Sequence, residues 1–140
     1  MNRVPLIDRA DTSAERKALL DAIHGAFGAT PNMFRAVANS PAALKSMWGS
    51  FGALGGGTLG ARLGEQIAVA VADRNACSYC LAAHTVLGQK AGASAEEMAA
   101  AQLGESSDPK TRAALLFALK VVGQRGQVSV HHQRPGCLTV

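Results

Sequence analysis

The sequence predicts an all-α fold: a compact helical domain with a central antiparallel helix hairpin, assembled as an oligomer. Helix-start signals recur along the chain, and the alternation of apolar and polar residues expected of strands is nearly absent. Small residues dominate the apolar fraction, which lets helices approach closely. Thr12-Ser13-Ala14-Glu15 reads as a capping box opening a first helix toward Phe27, loosened by Gly25 and Gly28. Thr30-Pro31 and Ser40-Pro41 each place an N-cap residue before a proline at the first helical position. They open a short helix over 31–38 and a longer one over 41–54, which the run Gly55-Gly56-Gly57 ends. The next helix runs from Leu59 to Ala72, and its apolar stretch Ile67–Ala72 implies burial on most sides. Asp73-Arg74-Asn75 interrupts it. A helix carrying two cysteines follows, ending near Lys90 with Gly92 as C-cap. Ser94-Ala95-Glu96-Glu97 is a second capping box, and Asp108-Pro109 opens a last helix that ends at Gly123.

The 140 residues fit one domain over 1–128, with 129–140 as a disordered tail that lacks helical periodicity. Apolar residues make up 48% of the chain but aromatics only 4%, so each buried side chain removes little area from water. A subunit interface would repair that thin core. The net charge of +4 is modest and its Lys and Arg residues are scattered, which argues against a nucleic-acid surface. The first residues, Met1-Asn2-Arg3-Val4-Pro5, hold no apolar run of the signal-peptide kind. The uncharged stretch from Ser46 to Ala61 is too rich in glycine for a membrane span. The chain therefore reads as cytoplasmic, a compartment in which a CxxC pair is kept reduced and is more often catalytic or metal-binding than structural.

That pair is Cys77-Ser78-Tyr79-Cys80, followed by His84, with Glu65 twelve residues before Cys77. On a helix, positions 77, 80 and 84 lie within an arc of roughly 60°. If the helices on either side of 73–76 run antiparallel, Glu65 and His84 are equally far from the turn and fall at the same height. A carboxylate orienting an imidazole that faces a thiol is a proton relay: Glu65 holds His84, and His84 deprotonates Cys80. The thiolate is the nucleophile, so such a relay matters at neutral pH. Cys77, placed in the first helical turn, faces unpaired N–H groups and the helix dipole, which also favour a thiolate. The expected chemistry is attack by Cys80 on a peroxide, a sulfenic acid resolved by Cys77, and reopening of the disulfide by an external dithiol or protein reductant.

The spacing Glu65-x11-Cys77-x2-Cys80-x3-His84 resembles the active-site pattern of alkylhydroperoxidase D-like proteins, within the carboxymuconolactone decarboxylase family. Pro31-Asn32-Met33-Phe34 and Ala38-Asn39-Ser40-Pro41 resemble the upstream region of a peroxidase-related branch, and the likeness covers about residues 30–125. It implies an all-helical fold, a homotrimer or homohexamer, and hydroperoxide reduction through Cys80 and Cys77 with Glu65 and His84. The partners expected are a small hydroperoxide and a reductant of lipoyl or thioredoxin-like type. No cofactor and no metal is expected. Tyr79 departs from relatives that carry a second histidine between the cysteines.

Other readings of these residues exist. Two cysteines can simply be small core residues, and Cys-x2-Cys-x3-His can donate three zinc ligands, with His131 or His132 as a fourth. A non-catalytic redox sensor or zinc-stabilised module is thus one alternative, and the lactone decarboxylase of the wider family is another. The latter has no obvious need for a dithiol. Glu65 can be a solvated residue near a helix start, His24 a surface residue, and Tyr79 a surface or interface aromatic. Gly55-Gly56-Gly57 lacks the lysine and preceding strand of a phosphate loop and reads as a hinge. Met33, Phe34, Met47, Trp48 and Phe51 fit a core or subunit contact, and Cys137 reads as incidental.

Overall fold

The structure, a computed structural model, describes residues 3–128. The expectations for Cys137, His131, His132 and a disordered tail fall outside those residues. Among the described residues there are seven helices and no strand: α1 (Ala14–Phe27), α2 (Asn32–Val37), α3 (Pro41–Gly55), α4 (Gly60–Arg74), α5 (Ser78–Lys90), α6 (Ala95–Gln102) and α7 (Pro109–Gly123). The chain divides into two compact units, Met1–Gly56 and Gly57–Val140, and the division falls inside the glycine run.

In the first unit α1 and α2 pack on α3. The core is Leu20, Ile23, Phe34, Ala38 and Leu44, with Phe27, Met47 and Trp48 packed against it. Phe34 stands edge-on to Trp48 and Phe51, with ring centroids 5.9 and 5.4 Å away, which is the geometry aromatic quadrupoles favour. Of these aromatic residues Phe34 is core, Phe27 and Trp48 are half-buried against it, and Phe51 is exposed. Met33 is exposed.

The second unit is organised around α4, which packs against α5, α6 and α7. Val69, Ala70, Ala93, Met98, Ala101 and Leu115 form its core, with Ile67, Leu81 and Leu119 against them. The apolar run of α4 is buried on several sides because three helices surround it, and alanines there allow the close approach.

Three helix starts follow the expected local chemistry. The Ser40 hydroxyl accepts the N–H of Ala43, and Pro41 follows it. Ser94 and Glu97 form a reciprocal capping box, and Asp108 accepts the N–H of Thr111 with Pro109 next. Others differ. The cap of α1 is Ser13 and its side chain makes no capping bond, so the box from Thr12 does not form; the Thr12 hydroxyl is buried without a partner. Pro31, not Thr30, stands at the cap of α2. The Thr30 hydroxyl is instead 3.2 Å from Nδ1 of His24, which is therefore half-buried and not a free surface residue. Asp73 and Arg74 continue α4 and do not interrupt it, since neither residue bars a helix; the helix ends at Arg74, with Asn75 as its C-cap and Ala76 left-handed.

Candidate active site

The α4–α5 hairpin turns in three residues, Asn75, Ala76 and Cys77. The Ala76 N–H donates to the Asp73 carbonyl and the Cys77 N–H to the Ala72 carbonyl, both at 2.9 Å. These are the two bonds of a Schellman motif, which satisfies carbonyls at the end of α4. The motif requires a left-handed residue, and here that residue is alanine, at φ 52°. An L-residue with a Cβ is strained in that region.

Cys77 lies one residue before α5 and is its N-cap, outside the first turn where the sequence placed it. The reason is local: the left-handed Ala76 and the bond to Ala72 hold Cys77 in a non-helical conformation. Its sulfur accepts the Cys80 N–H at 3.3 Å, as a serine oxygen would at a cap. Cys77 and Cys80 are joined as a disulfide across a Cα–Cα distance of 5.3 Å. Both are half-buried, and Tyr79 between them projects outward, 60% exposed, on the surface as expected.

His84 follows Cys80 by four residues and so lies one turn further along the same face of α5. Its Nδ1–H donates to Oε2 of Glu65 on α4 at 2.7 Å. The side chains are 32% and 23% exposed, so the bond is partly shielded from competing water. Glu65 is therefore not a free solvated residue, and the hairpin register inferred from the turn brings it to His84. The bond fixes which imidazole nitrogen carries the proton and leaves Nε2 available for exchange with a substrate or thiol. All four candidate residues thus lie on one hairpin: the cysteines paired at its bend, Glu65 and His84 paired further down.

Ala76 and Gly88 also shape this site, though neither belongs to a motif. Alanine gives no hint of a left-handed turn in a sequence. A glycine inside a helix is a weak signal of a close approach, and Gly88 is the buried residue of α5. A surface depression of about 270 Å³ lies beside Ala100, Glu105, Ser106, Ser107 and Arg112, and contains none of the four candidate residues. Among the described residues, no group of three or more His, Cys, Asp or Glu side chains is placed to hold a metal ion. No helix of the described residues is long and apolar enough to cross a membrane.

An all-helical chain with a disulfide-linked cysteine pair and a carboxylate–imidazole pair on one hairpin defines a narrow class, and comparison with known proteins agrees. The carboxymuconolactone decarboxylase family model matches residues 40–123. Among solved structures, the chain is similar to the alkylhydroperoxidase AhpD core of Rhodospirillum rubrum, at 30% identity and a TM-score of 0.60, over 96% of this chain and 93% of that one. No curated protein matches it. The chain belongs to the carboxymuconolactone decarboxylase family, in its alkylhydroperoxidase D-like branch.

Proposed function

We propose that this protein is a thiol-dependent peroxidase that reduces small hydroperoxides with Cys80 and Cys77, using Glu65 and His84 as a proton relay. The observation that carries the reading is the Glu65–His84 hydrogen bond on the hairpin that bears the cysteine pair. The similar structure from Rhodospirillum rubrum, an alkylhydroperoxidase, adds support.

In the reduced protein, His84 takes the Cys80 proton through Nε2 while Glu65 stabilises the imidazolium that forms. The Cys80 thiolate attacks the terminal peroxide oxygen. An S–O bond forms, the O–O bond breaks, and the alkoxide leaves as an alcohol with the proton from His84. Cys77 then attacks the Cys80 sulfenic sulfur, a disulfide forms, and hydroxide departs as water. A dithiol reductant, of lipoyl or thioredoxin-like type, reopens the disulfide by exchange and is itself oxidised. The half-exposed Cys77 at the bend is the sulfur such a reductant meets first.

The reading extends to a cytoplasmic homotrimer or homohexamer, which would cover exposed apolar side chains such as Leu103, Leu116 and Phe117. Lactone decarboxylation, for which the wider family is named, has no obvious need for a dithiol, so the cysteine pair argues against it. The deciding experiment replaces Cys80 and Cys77 separately by Ser and follows hydroperoxide consumption with a lipoyl-type dithiol. We expect Cys80→Ser to abolish turnover and Cys77→Ser to arrest it with sulfenate on Cys80. Full activity in both variants would end the proposal.

A further inference from the structure

The glycine at position 88 sits where α4, α5 and α6 meet, and a side chain has no room there. A Cβ built on Gly88 would lie against the Met98 thioether, 2.5 Å from its Sδ, and 3.3 Å from Cβ of Glu65. Met98 is buried in the core of the unit. Gly88 lies in the last turn of α5, two residues before its end at Lys90, and glycine there still costs helix stability relative to alanine, so its presence calls for a local reason. The crowding supplies one.

Gly88 follows His84 by one helical turn on the same face. The Glu65 side chain therefore starts opposite Gly88 at its Cβ and reaches along α5 to His84 at its carboxylate. The approach of α4 to α5 at position 88 sets how far Glu65 must reach. We infer that Gly88, with the Met98 thioether seated against it, is a positioning residue that sets the Glu65–His84 hydrogen bond by letting α5 lie close on α4 and α6. A methyl group at 88 would displace both Met98 and the base of Glu65. The Met98 tip is flexible and can move, but the Glu65 Cβ is tied to the α4 backbone, so the strain falls on the relay. This inference rests on the proposed role of Glu65 and His84 in activating Cys80.

The test uses the full chain, reduced, with Gly88→Ala and Glu65→Ala made singly and together. The first readout is the NMR signal of the His84 Nδ1 proton, which reports the bond whether or not the protein turns over peroxide. The second is the rate of iodoacetamide alkylation at Cys80, read by mass spectrometry. We expect Gly88→Ala to remain helical, to lose the signal, and to slow alkylation by about tenfold, a partial loss of the roughly 100-fold or more that a general base supplies. The double variant should be no slower than Glu65→Ala alone, because both changes remove the same interaction.

A folded Gly88→Ala protein that keeps the wild-type proton signal would overturn the inference. Loss of the signal with alkylation unchanged would uphold the positioning role and instead defeat the relay. If Gly88→Ala does not fold, Gly88→Ala/Met98→Ala removes the clash with the thioether and leaves only that with Glu65. Loss of the signal in that variant supports the inference, and its retention refutes it.

Discussion

Glu65 and His84, nineteen residues apart in the chain, are joined by a 2.7 Å hydrogen bond between neighbouring helices of one hairpin. Glu65→Gln keeps an acceptor for the imidazole but removes the charge that stabilises its protonated form, whereas Glu65→Ala removes both. We expect hydroperoxide kcat/KM to fall in the order wild type, Gln, Ala, with a loss of roughly 100-fold for Ala. Equal rates across the three proteins would show that the pair takes no part in activating a thiol.

The Cys77 sulfur caps α5 by accepting the Cys80 N–H. In the reduced protein, Cys77→Ser retains an acceptor there and Cys77→Ala does not. Urea unfolding under reducing conditions should find the alanine variant less stable than the serine variant by about 1 kcal/mol. Coincident transitions would mean that the cap adds nothing without the second sulfur.

Ala76 is held at φ 52°, where a Cβ costs roughly 1–2 kcal/mol. Glycine removes that strain but loses about 0.5–1 kcal/mol through greater freedom in the unfolded chain. Ala76→Gly should therefore stabilise the protein by up to about 1.5 kcal/mol, raising Tm by a few degrees in a thermal melt. A lowered Tm would place the left-handed alanine among favourable conformations and remove the strain argument.

Three carboxylates at helix starts, Glu96, Glu97 and Asp108, are held below the ordinary carboxylate range. At Asp108 the cause is first the Thr111 backbone N–H, and at Glu97 first the Ser94 backbone N–H, with the Arg62 guanidinium adding to it. A pKa lower in the folded than in the unfolded protein contributes stability that is present above the unfolded value and lost as pH falls through the folded one. The stability difference between wild type and Asp108→Ala should thus be largest near neutrality and shrink below about pH 4. Denaturant unfolding across that range checks it, and a difference that grows on acidification would reverse the assigned sign.

Most of the fold was legible because helix starts are local chemistry. Ser40-Pro41, Ser94 with Glu97, and Asp108-Pro109 each satisfy N–H groups within three residues, so the sequence carries the whole arrangement. Thr30 shows where this fails: its hydroxyl has a competing partner in His24, on another helix, and only packing decides between the two. The register of the hairpin is readable to within one turn because its turn is short: Glu65 stands opposite Gly88, and its side chain reaches back along α5 to His84. Cys77 was misplaced by one residue because nothing about Ala76 announces a left-handed turn.

Helical class, helix order and the spacing of two cysteines, a histidine and a glutamate are all readable from the chain alone. These follow from capping chemistry and a 3.6-residue period, which act over a few neighbours. Packing alone settled that Gly88 is the place where Met98 and Glu65 meet α5. That outcome depends on how three helices exclude one another's volume, and excluded volume between distant segments leaves no periodic trace along the chain.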